Sequence, residues 1–136
     1  MSALPPGVLV LAPGEGRHYP CGPMQSVFLA DGAETGDRYS VSIWWVEPGK
    51  PGPGAHVHAA NEELFYVVEG TMTFLVGDRH VDAVAGTFLR IPAGVTHDFE
   101  NRTTARAGAL NVYIPGGFEA DMPAIVEWFR SQPATP

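Results

Sequence analysis

Three histidines and a pair of acidic residues have the types and spacing of metal ligands. His56 and His58 are two residues apart, and in an extended strand such residues point to the same face. A carboxylate follows at Glu62 or Glu63, and His97 lies farther along, after a separate turn. Three imidazole nitrogens and one carboxylate oxygen suit divalent Fe, Ni, Mn, Co, Cu or Zn. The pattern therefore predicts a site for one divalent transition metal.

Four protein ligands would leave an octahedral metal with open positions, which distinguishes a reactive site from a structural one. The spacing alone also allows a simpler interpretation, in which the two histidines of a strand are merely exposed. His18 and His80 receive no functional role. His18 lies in a loop-like stretch, and His80 lies beside a predicted hairpin turn, where we expect it to be solvated.

Short strands are the elements that must position these side chains. Apolar stretches rich in Val, Ile, Phe, Tyr and Trp alternate with Gly, Pro and Asp turn signals, which predicts an all-β sandwich or barrel. The stretches are residues 7–12, 24–30, 38–47, 64–69, 71–76, 81–85, 87–91 and 109–114. Gly77 and Asp78 predict a tight hairpin between two of them.

One helix is predicted near the C-terminus, at about residues 121–131. Asp121 is a favourable N-cap, and Pro123 lies in the first turn, where its missing N–H costs nothing. The apolar face of the helix comprises Ile125, Trp128 and Phe129. We expect this face to pack on the outside of the β-structure.

Length and charge limit the classes of protein. The chain has 136 residues, which predicts a single domain over residues 1–136, and its net charge of −7 excludes a basic surface for nucleic acid or anionic membranes. Cys21 is the only cysteine, so we expect a small buried or half-buried thiol and neither an intrachain disulfide nor a cysteine zinc site. No apolar run approaches the roughly 20 residues that cross a bilayer, and the short N-terminal apolar patch is not a secretory signal. We therefore expect a cytoplasmic protein.

Two segments of the chain resemble the paired sequence motifs of the cupin superfamily. The first motif is His-x-His, then a Glu, six further residues and a Gly; the second is a Gly, five residues, Pro-x-Gly, two residues, His, three residues and Asn. The matching residues are His56, His58, Glu63 and Gly70 in the first motif and Gly86, Pro92, Gly94, His97 and Asn101 in the second. The opening glycine of the first motif matches loosely, because Gly49 lies one residue too far from His56.

The resemblance implies an all-β fold, a double-stranded β-helix or jelly-roll barrel at about residues 24–115, with one short C-terminal helix. It also implies that His56, His58, Glu63 and His97 together bind one divalent metal. Glu63 is preferred to Glu62 because only Glu63 is separated from Gly70 by six intervening residues, and adjacent strand residues face opposite ways.

The other motif residues are expected to have structural roles. Gly70 and Gly94 are expected in turn conformations that are closed to other residues. Asn101 is expected to hydrogen-bond a local turn.

Within the superfamily, the compact length and the turn at residues 115–118 resemble quercetinase-like single-domain members. This resemblance implies a dioxygenase that uses O2 on an enol or aromatic, flavonol-like small molecule, with Glu63 as the catalytic base. A non-redox metal-dependent isomerase or cyclase, and a non-enzymatic cupin that binds a small ligand, remain as alternatives. We also expect a homodimer, because edge strands need protection and an apolar strand at Val8–Leu11 could cross to a partner.

Eight aromatic residues are candidates for the wall of a ligand cavity, although each is also typical of an ordinary core. They are Trp44, Trp45, Phe65, Tyr66, Phe74, Phe88, Phe99 and Tyr113. Trp44 and Trp45 are adjacent in a strand, so at most one of them points inward. Arg90 is expected to point outward into solvent.

Overall fold

The computed structural model describes residues 3–133, and within this range it has nine β-strands, two α-helices and one 3-10 helix. The strands are β1 (Arg17–Cys21), β2 (Met24–Ala30), β3 (Ser40–Val46), β4 (Glu62–Glu69), β5 (Thr71–Val76), β6 (Arg79–Val84), β7 (Phe88–Ile91), β8 (His97–Glu100) and β9 (Ala107–Ile114). The helices are α1 (Gly32–Thr35), the 3-10 helix (Phe118–Asp121) and α2 (Met122–Ser131).

The strands form two antiparallel sheets. The larger sheet has the order β1-β2-β3-β9-β4-β7, and the smaller has the order β6-β5-β8. Aromatic rings join them: Phe65 of the larger sheet lies 5.1 Å from Phe74 and 5.9 Å from Phe99 of the smaller, between ring centroids. This arrangement, followed by the short helix α2, confirms the double-stranded β-helix.

Hydrophobic alternation explains most of the strands. Along β3, buried and half-buried residues alternate without a break, so Trp44 points into the core and Trp45 points outward. The guanidinium of Arg106 covers the outward Trp45 ring at 3.9 Å from its centroid. The prediction that these two tryptophans face opposite ways is confirmed.

Three predictions about elements are wrong in detail. His18 lies in strand β1 and not in a loop, and β1 extends the larger sheet ahead of the expected barrel start at residue 24. Strand β1 was not predicted because it contains Pro20 and several polar side chains, and so it does not form an apolar stretch. The segment Val8–Leu11 forms no strand within the described chain, and residues 8–10 are exposed.

Helix α2 packs against β1, as its apolar face requires. Met122 is fully buried and Phe129 contacts the core, but Trp128 is 58% exposed, so its expected burial is wrong. Asp121 stands at the N-cap position, but its side chain makes no capping hydrogen bond. None of the helices described in residues 3–133 has the length and apolarity to span a bilayer.

The sole cysteine and the first motif glycine occupy the environments expected of them. Cys21 is fully buried, and burial raises the pKa of its thiol to about 11. Gly70 has a φ of 68°, and a Cβ at this position would lie 2.4 Å from the carbonyl oxygen of Arg106. A side chain at residue 70 is therefore excluded by both backbone conformation and space.

Asn101 ties together the turn that follows β8. Its Nδ2 donates to the carbonyl oxygens of Val46 at 3.0 Å and Ala105 at 2.7 Å. Its Oδ1 accepts from the backbone N–H of Thr103 at 2.9 Å. The expected local hydrogen bonding is confirmed, and Asn101 also links the turn to β3.

Replacing this side chain tests its structural role. We expect Asn101→Ala to lower the free energy of unfolding by about 2–4 kcal/mol, because buried polar groups lose their partners. The neighbouring exposed Arg102→Ala is the control and is expected to change it by less than about 0.5 kcal/mol. Urea denaturation measures both values, and equal effects of the two substitutions would contradict the assignment.

Candidate metal centre

The backbone brings the two histidine-bearing segments together directly. His56, in the loop before β4, forms an isolated antiparallel bridge with His97 at the start of β8. The N–H of His56 donates to the carbonyl of His97 at 3.0 Å, and the N–H of His97 donates back at 2.9 Å. The paired backbones hold the two imidazoles with their ring centroids 4.4 Å apart.

A second backbone contact positions His58. The N–H of Gly94 donates to the carbonyl oxygen of His58 at 2.8 Å. Gly94 has a φ of 85°, the left-handed conformation that the motif glycine was expected to supply. The turn of the second motif thus binds the loop of the first.

Strand alternation separates the two acidic residues. Glu63 points inward and is 6% exposed, whereas Glu62 lies outward and accepts a hydrogen bond from Arg90 at 2.8 Å. The outward orientation expected of Arg90 and the rim position expected of Glu62 are therefore observed. Glu63 is opposite Ile91 of β7 and Tyr113 of β9, so its backbone lies between two neighbouring strands.

All four predicted side chains converge. One ligand atom from each of His56, His58, Glu63 and His97 lies within 4.8 Å of every other. Such a group of three imidazoles and one carboxylate could hold a metal ion.

Hydrogen bonds from outside the cluster orient two of the imidazoles. Nδ1 of His56 lies 2.7 Å from the carbonyl oxygen of Gly54, and Nδ1 of His97 lies 2.9 Å from that of Val95. Because a carbonyl can only accept, each Nδ1 carries a proton, and in the neutral imidazole Nε2 then has the free lone pair. These lone pairs are thus available on the side of each ring that faces the other members of the cluster.

The remaining two side chains also have outer partners. Nδ1 of His58 lies 3.3 Å from the hydroxyl of Tyr113. The side-chain amide of Asn111 donates to Oε1 of Glu63 at 3.2 Å, which leaves Oε2 directed into the cluster. The chain therefore fixes the orientation of every member of the group.

The inner atoms lack partners of their own. Nε2 of His58, Nε2 of His97 and Oε2 of Glu63 are buried and form no hydrogen bond with the described residues. Nε2 of His58 is 3.5 Å from Oε2 of Glu63, and Nε2 of His97 lies closer to the same oxygen. Buried lone pairs without donors are costly, and a bound cation would satisfy all three. The residues present therefore fit a divalent metal.

Electrostatics at the cluster also favour a cation. Burial, reinforced by the neighbouring imidazoles, lowers the pKa of His58, so its neutral form can offer a lone pair. Burial opposes the charge on His97, but the Glu63 carboxylate and the Val95 carbonyl outweigh it and raise the pKa of His97. Positive charge next to Glu63 is therefore stabilised.

The cluster opens into a small aromatic cavity with a volume of about 40 Å³. Its lining includes Trp44, Phe65 and Phe99, which were candidates from the sequence, together with Pro53, Asn111 and Phe118, which were not. Tyr113 stands beside the His58 ring, Phe74 lies in the core, and Tyr66 and Phe88 are exposed on the outer surface. Strand alternation could have identified Asn111 from the sequence, because Asn111 is a polar residue in the apolar strand β9. In the structure it is paired with Phe65.

Comparison with protein families and known proteins agrees with the fold. The family model for the Cupin domain matches residues 42–113, a range that contains all four clustered side chains. The chain is 31% identical over 91 residues to quercetin 2,3-dioxygenase of Bacillus subtilis (strain 168). The match covers 66% of this chain and 26% of that protein, so the chain spans about a quarter of the length of that relative.

Two solved structures are also similar. A predicted oxalate decarboxylase from Thermotoga maritima superposes with a TM-score of 0.73 at 19% identity, covering 79% of this chain and 99% of that one. A sugar phosphate isomerase from a cupin superfamily, from Silicibacter pomeroyi, has a TM-score of 0.59 at 27% identity and covers 68% and 59%. With more than half of its residues matched by the family model, the chain belongs to the cupin family.

Proposed function

We propose that this cupin is a metal-dependent dioxygenase acting on an enol or aromatic, flavonol-like small molecule. The observation that carries the proposal is the cluster of unpartnered buried atoms on His58, Glu63 and His97, which opens into an aromatic-lined cavity. The similarity to quercetin 2,3-dioxygenase supports the choice of chemistry.

The proposed ligands of the metal are His56, His58, Glu63 and His97. When bound, one divalent Fe, Ni, Mn, Co, Cu or Zn ion would act as a Lewis acid that favours the deprotonated form of an enol or phenol. Each of the three imidazoles would contribute a neutral nitrogen lone pair. The carbonyl oxygens of Gly54 and Val95 keep the rings of His56 and His97 oriented, and the hydroxyl of Tyr113 lies beside the ring of His58.

Glu63 is the proposed catalytic base. Its Oε1 is held by Asn111, while Oε2 is buried, lacks a hydrogen-bond donor and faces the cavity. A carboxylate in this position can accept the proton of a substrate hydroxyl. The apolar rings of Trp44, Phe65 and Phe99 would exclude water and contact the face of an unsaturated substrate.

The size of the cavity limits what the protein can enclose. Pockets that bury a drug-sized ligand have volumes of about 300–1,000 Å³, far above the 40 Å³ found here. The site therefore accommodates the reacting edge of a substrate, an enol or hydroxyl group with a few atoms around it. The rest of a larger substrate would lie outside the cavity.

A non-redox reaction is the second candidate. Proton removal by Glu63 requires no O2, and the chain is also similar to a sugar phosphate isomerase, at 27% identity. In such an isomerase or cyclase the same carboxylate would take and return a proton on one carbon framework. The mass of the product distinguishes this reaction from an oxygenation.

Metal content tests the ligand set. We expect the purified protein to contain about one equivalent of a divalent transition metal, and His97→Ala to lose most of it because three ligands bind less tightly than four. The control His80→Ala removes an exposed histidine of β6 and should keep the full metal content. Elemental analysis measures both variants, and equal metal in the two would contradict the assignment.

Oxygen dependence and Glu63→Gln together test the reaction. With quercetin or smaller enols as substrates, we expect turnover to require O2 and both atoms of isotopically labelled O2 to appear in the products. Glu63→Gln should lower turnover about a hundredfold or more, since an amide cannot accept the proton. The control Glu62→Gln alters only the outward-facing neighbour and should leave turnover nearly unchanged.

Each other outcome of this experiment has a definite meaning. Undiminished turnover without O2, or a product of unchanged mass, would replace the dioxygenase by the isomerase or cyclase. Tight ligand binding with no product over hours would favour the non-enzymatic binding protein.

We also propose a homodimer. Exposed apolar side chains at Leu4, Val8, Leu9 and Val10 lie on the N-terminal segment, which pairs with no strand of its own chain in the described range. Sedimentation at micromolar concentration is expected to give twice the chain mass, and Leu9→Asp should lower it towards the monomer. Val84→Asp, at an exposed position of β6, is the control; a monomeric parent protein would contradict the proposal. The single domain over residues 1–136 and the cytoplasmic location stay predictions.

A further inference from the structure

One half-buried aromatic ring of the 3-10 helix, that of Phe118, lies beside the candidate metal centre. Phe118, the first residue of the 3-10 helix, lies 6.4 Å from the His58 ring and 5.1 Å from the Tyr113 ring, between centroids. It also stacks on Phe28 at 6.2 Å and meets the edge of Trp44 at 6.3 Å. Phe118 is therefore part of the cavity wall and contacts the side chain of His58, one of the four candidate metal ligands.

Phe118 differs from the other aromatic rings of the wall in its burial. Trp44, Phe65 and Phe99 are buried core residues, whereas Phe118 is only half-buried and belongs to a turn outside both sheets. Removing the Phe118 ring would widen the cavity towards solvent, whereas removing one of the other three would open a hole in the core.

A buried carboxylate holds this turn. Asp31, which is 1% exposed, accepts from the backbone N–H of Gly117 and from that of Glu119, both at 2.7 Å. These two amides flank Phe118 in the sequence. Both oxygens of one carboxylate thus fix the backbone on either side of the ring.

Further hydrogen bonds connect the same turn to β1 and to the loop before β4. Glu119 accepts from Arg17 at 2.6 and 2.8 Å and from the hydroxyl of Tyr19 at 2.7 Å. Asn61 donates to the carbonyl oxygen of Pro115 at 2.9 Å. The position of the ring is therefore set by polar contacts that lie outside the metal centre.

We infer that Phe118 is the specificity-determining residue of this site and that Asp31 is its positioning residue. The ring limits the size of the group that can stand beside His58 and Glu63, and the Asp31 carboxylate keeps the ring in place. This inference rests on the proposed metal site. It narrows the substrate class to molecules whose reacting group is small enough to fit beside Phe118.

The size limit is tested with two probes of different bulk on the cobalt(II)-loaded protein. Azide or 3-hydroxyflavone is added in increments, and binding is followed by the change in the visible absorption of the bound cobalt(II). We expect Phe118→Ala to tighten 3-hydroxyflavone binding about tenfold or more, because the wall recedes, and to change azide binding by less than about twofold. If Phe118→Ala does not fold, Phe118→Leu should show a smaller gain in the same direction. Equal effects on both probes, or none, would overturn the role of Phe118.

Asp31→Asn tests the positioning role with a measurement that needs no metal. An amide offers one acceptor and places an N–H donor against a backbone N–H, so the amides of Gly117 and Glu119 should lose protection from hydrogen exchange. The variant should also show part of the gain in 3-hydroxyflavone affinity, although Phe118 is intact.

Asp121→Asn is the matched control, since Asp121 lies in the same turn and its side chain makes no capping hydrogen bond. It should leave both amides protected. Unchanged exchange in Asp31→Asn would overturn the role of Asp31. Absence of cobalt absorption in the parent protein would instead refute the proposed metal site, and the intrinsic fluorescence of 3-hydroxyflavone would then still measure the gain in Phe118→Ala.

Discussion

The candidate site of this protein depends on three buried acceptor atoms that have no hydrogen-bond donor among the described residues. They are Nε2 of His58, Nε2 of His97 and Oε2 of Glu63. Burying such atoms unpaired costs free energy, and a folded chain keeps them only where its architecture holds them from outside. Here the Nδ1 atoms and Oε1 are each bound by a neighbour, so the inner atoms cannot turn away to find partners of their own. A bound cation would satisfy all three atoms.

The two sheets supply that outer support in different ways. The small sheet contributes His97 through β8, and its exchange of backbone hydrogen bonds with His56 joins residues that are far apart in the chain. The large sheet contributes Glu63 through β4 and Asn111 through the adjacent strand β9. Because the acid and the third imidazole come from opposite layers, the centre forms only when the layers pack. Folding and completion of the candidate metal site are therefore one event.

The aromatic residues of the cavity wall are held in two different ways. Trp44, Phe65 and Phe99 belong to strands whose backbones are paired within the sheets. Phe118 belongs to a turn that is fixed instead by side-chain acceptors, above all the carboxylate of Asp31. Phe118 therefore borders the candidate metal centre and is held by Asp31, although neither residue belongs to the group of four candidate ligands.

The sequence by itself determined the types of the candidate ligands, the preference for Glu63 over Glu62, and most of the strands, because period-two alternation and motif spacing are local properties of the chain. It did not reveal β1, whose Pro20 and polar residues carry no apolar signal, nor the loss of the expected strand at Val8–Leu11, which finds no partner within its own described chain. Only the tertiary structure decided that Asp31 binds the backbone around Phe118 and that Asn111 holds Glu63, since these contacts join residues 86, 88 and 48 positions apart. No local pattern encodes such pairs: their partners are chosen by how the two sheets and the closing turn pack together.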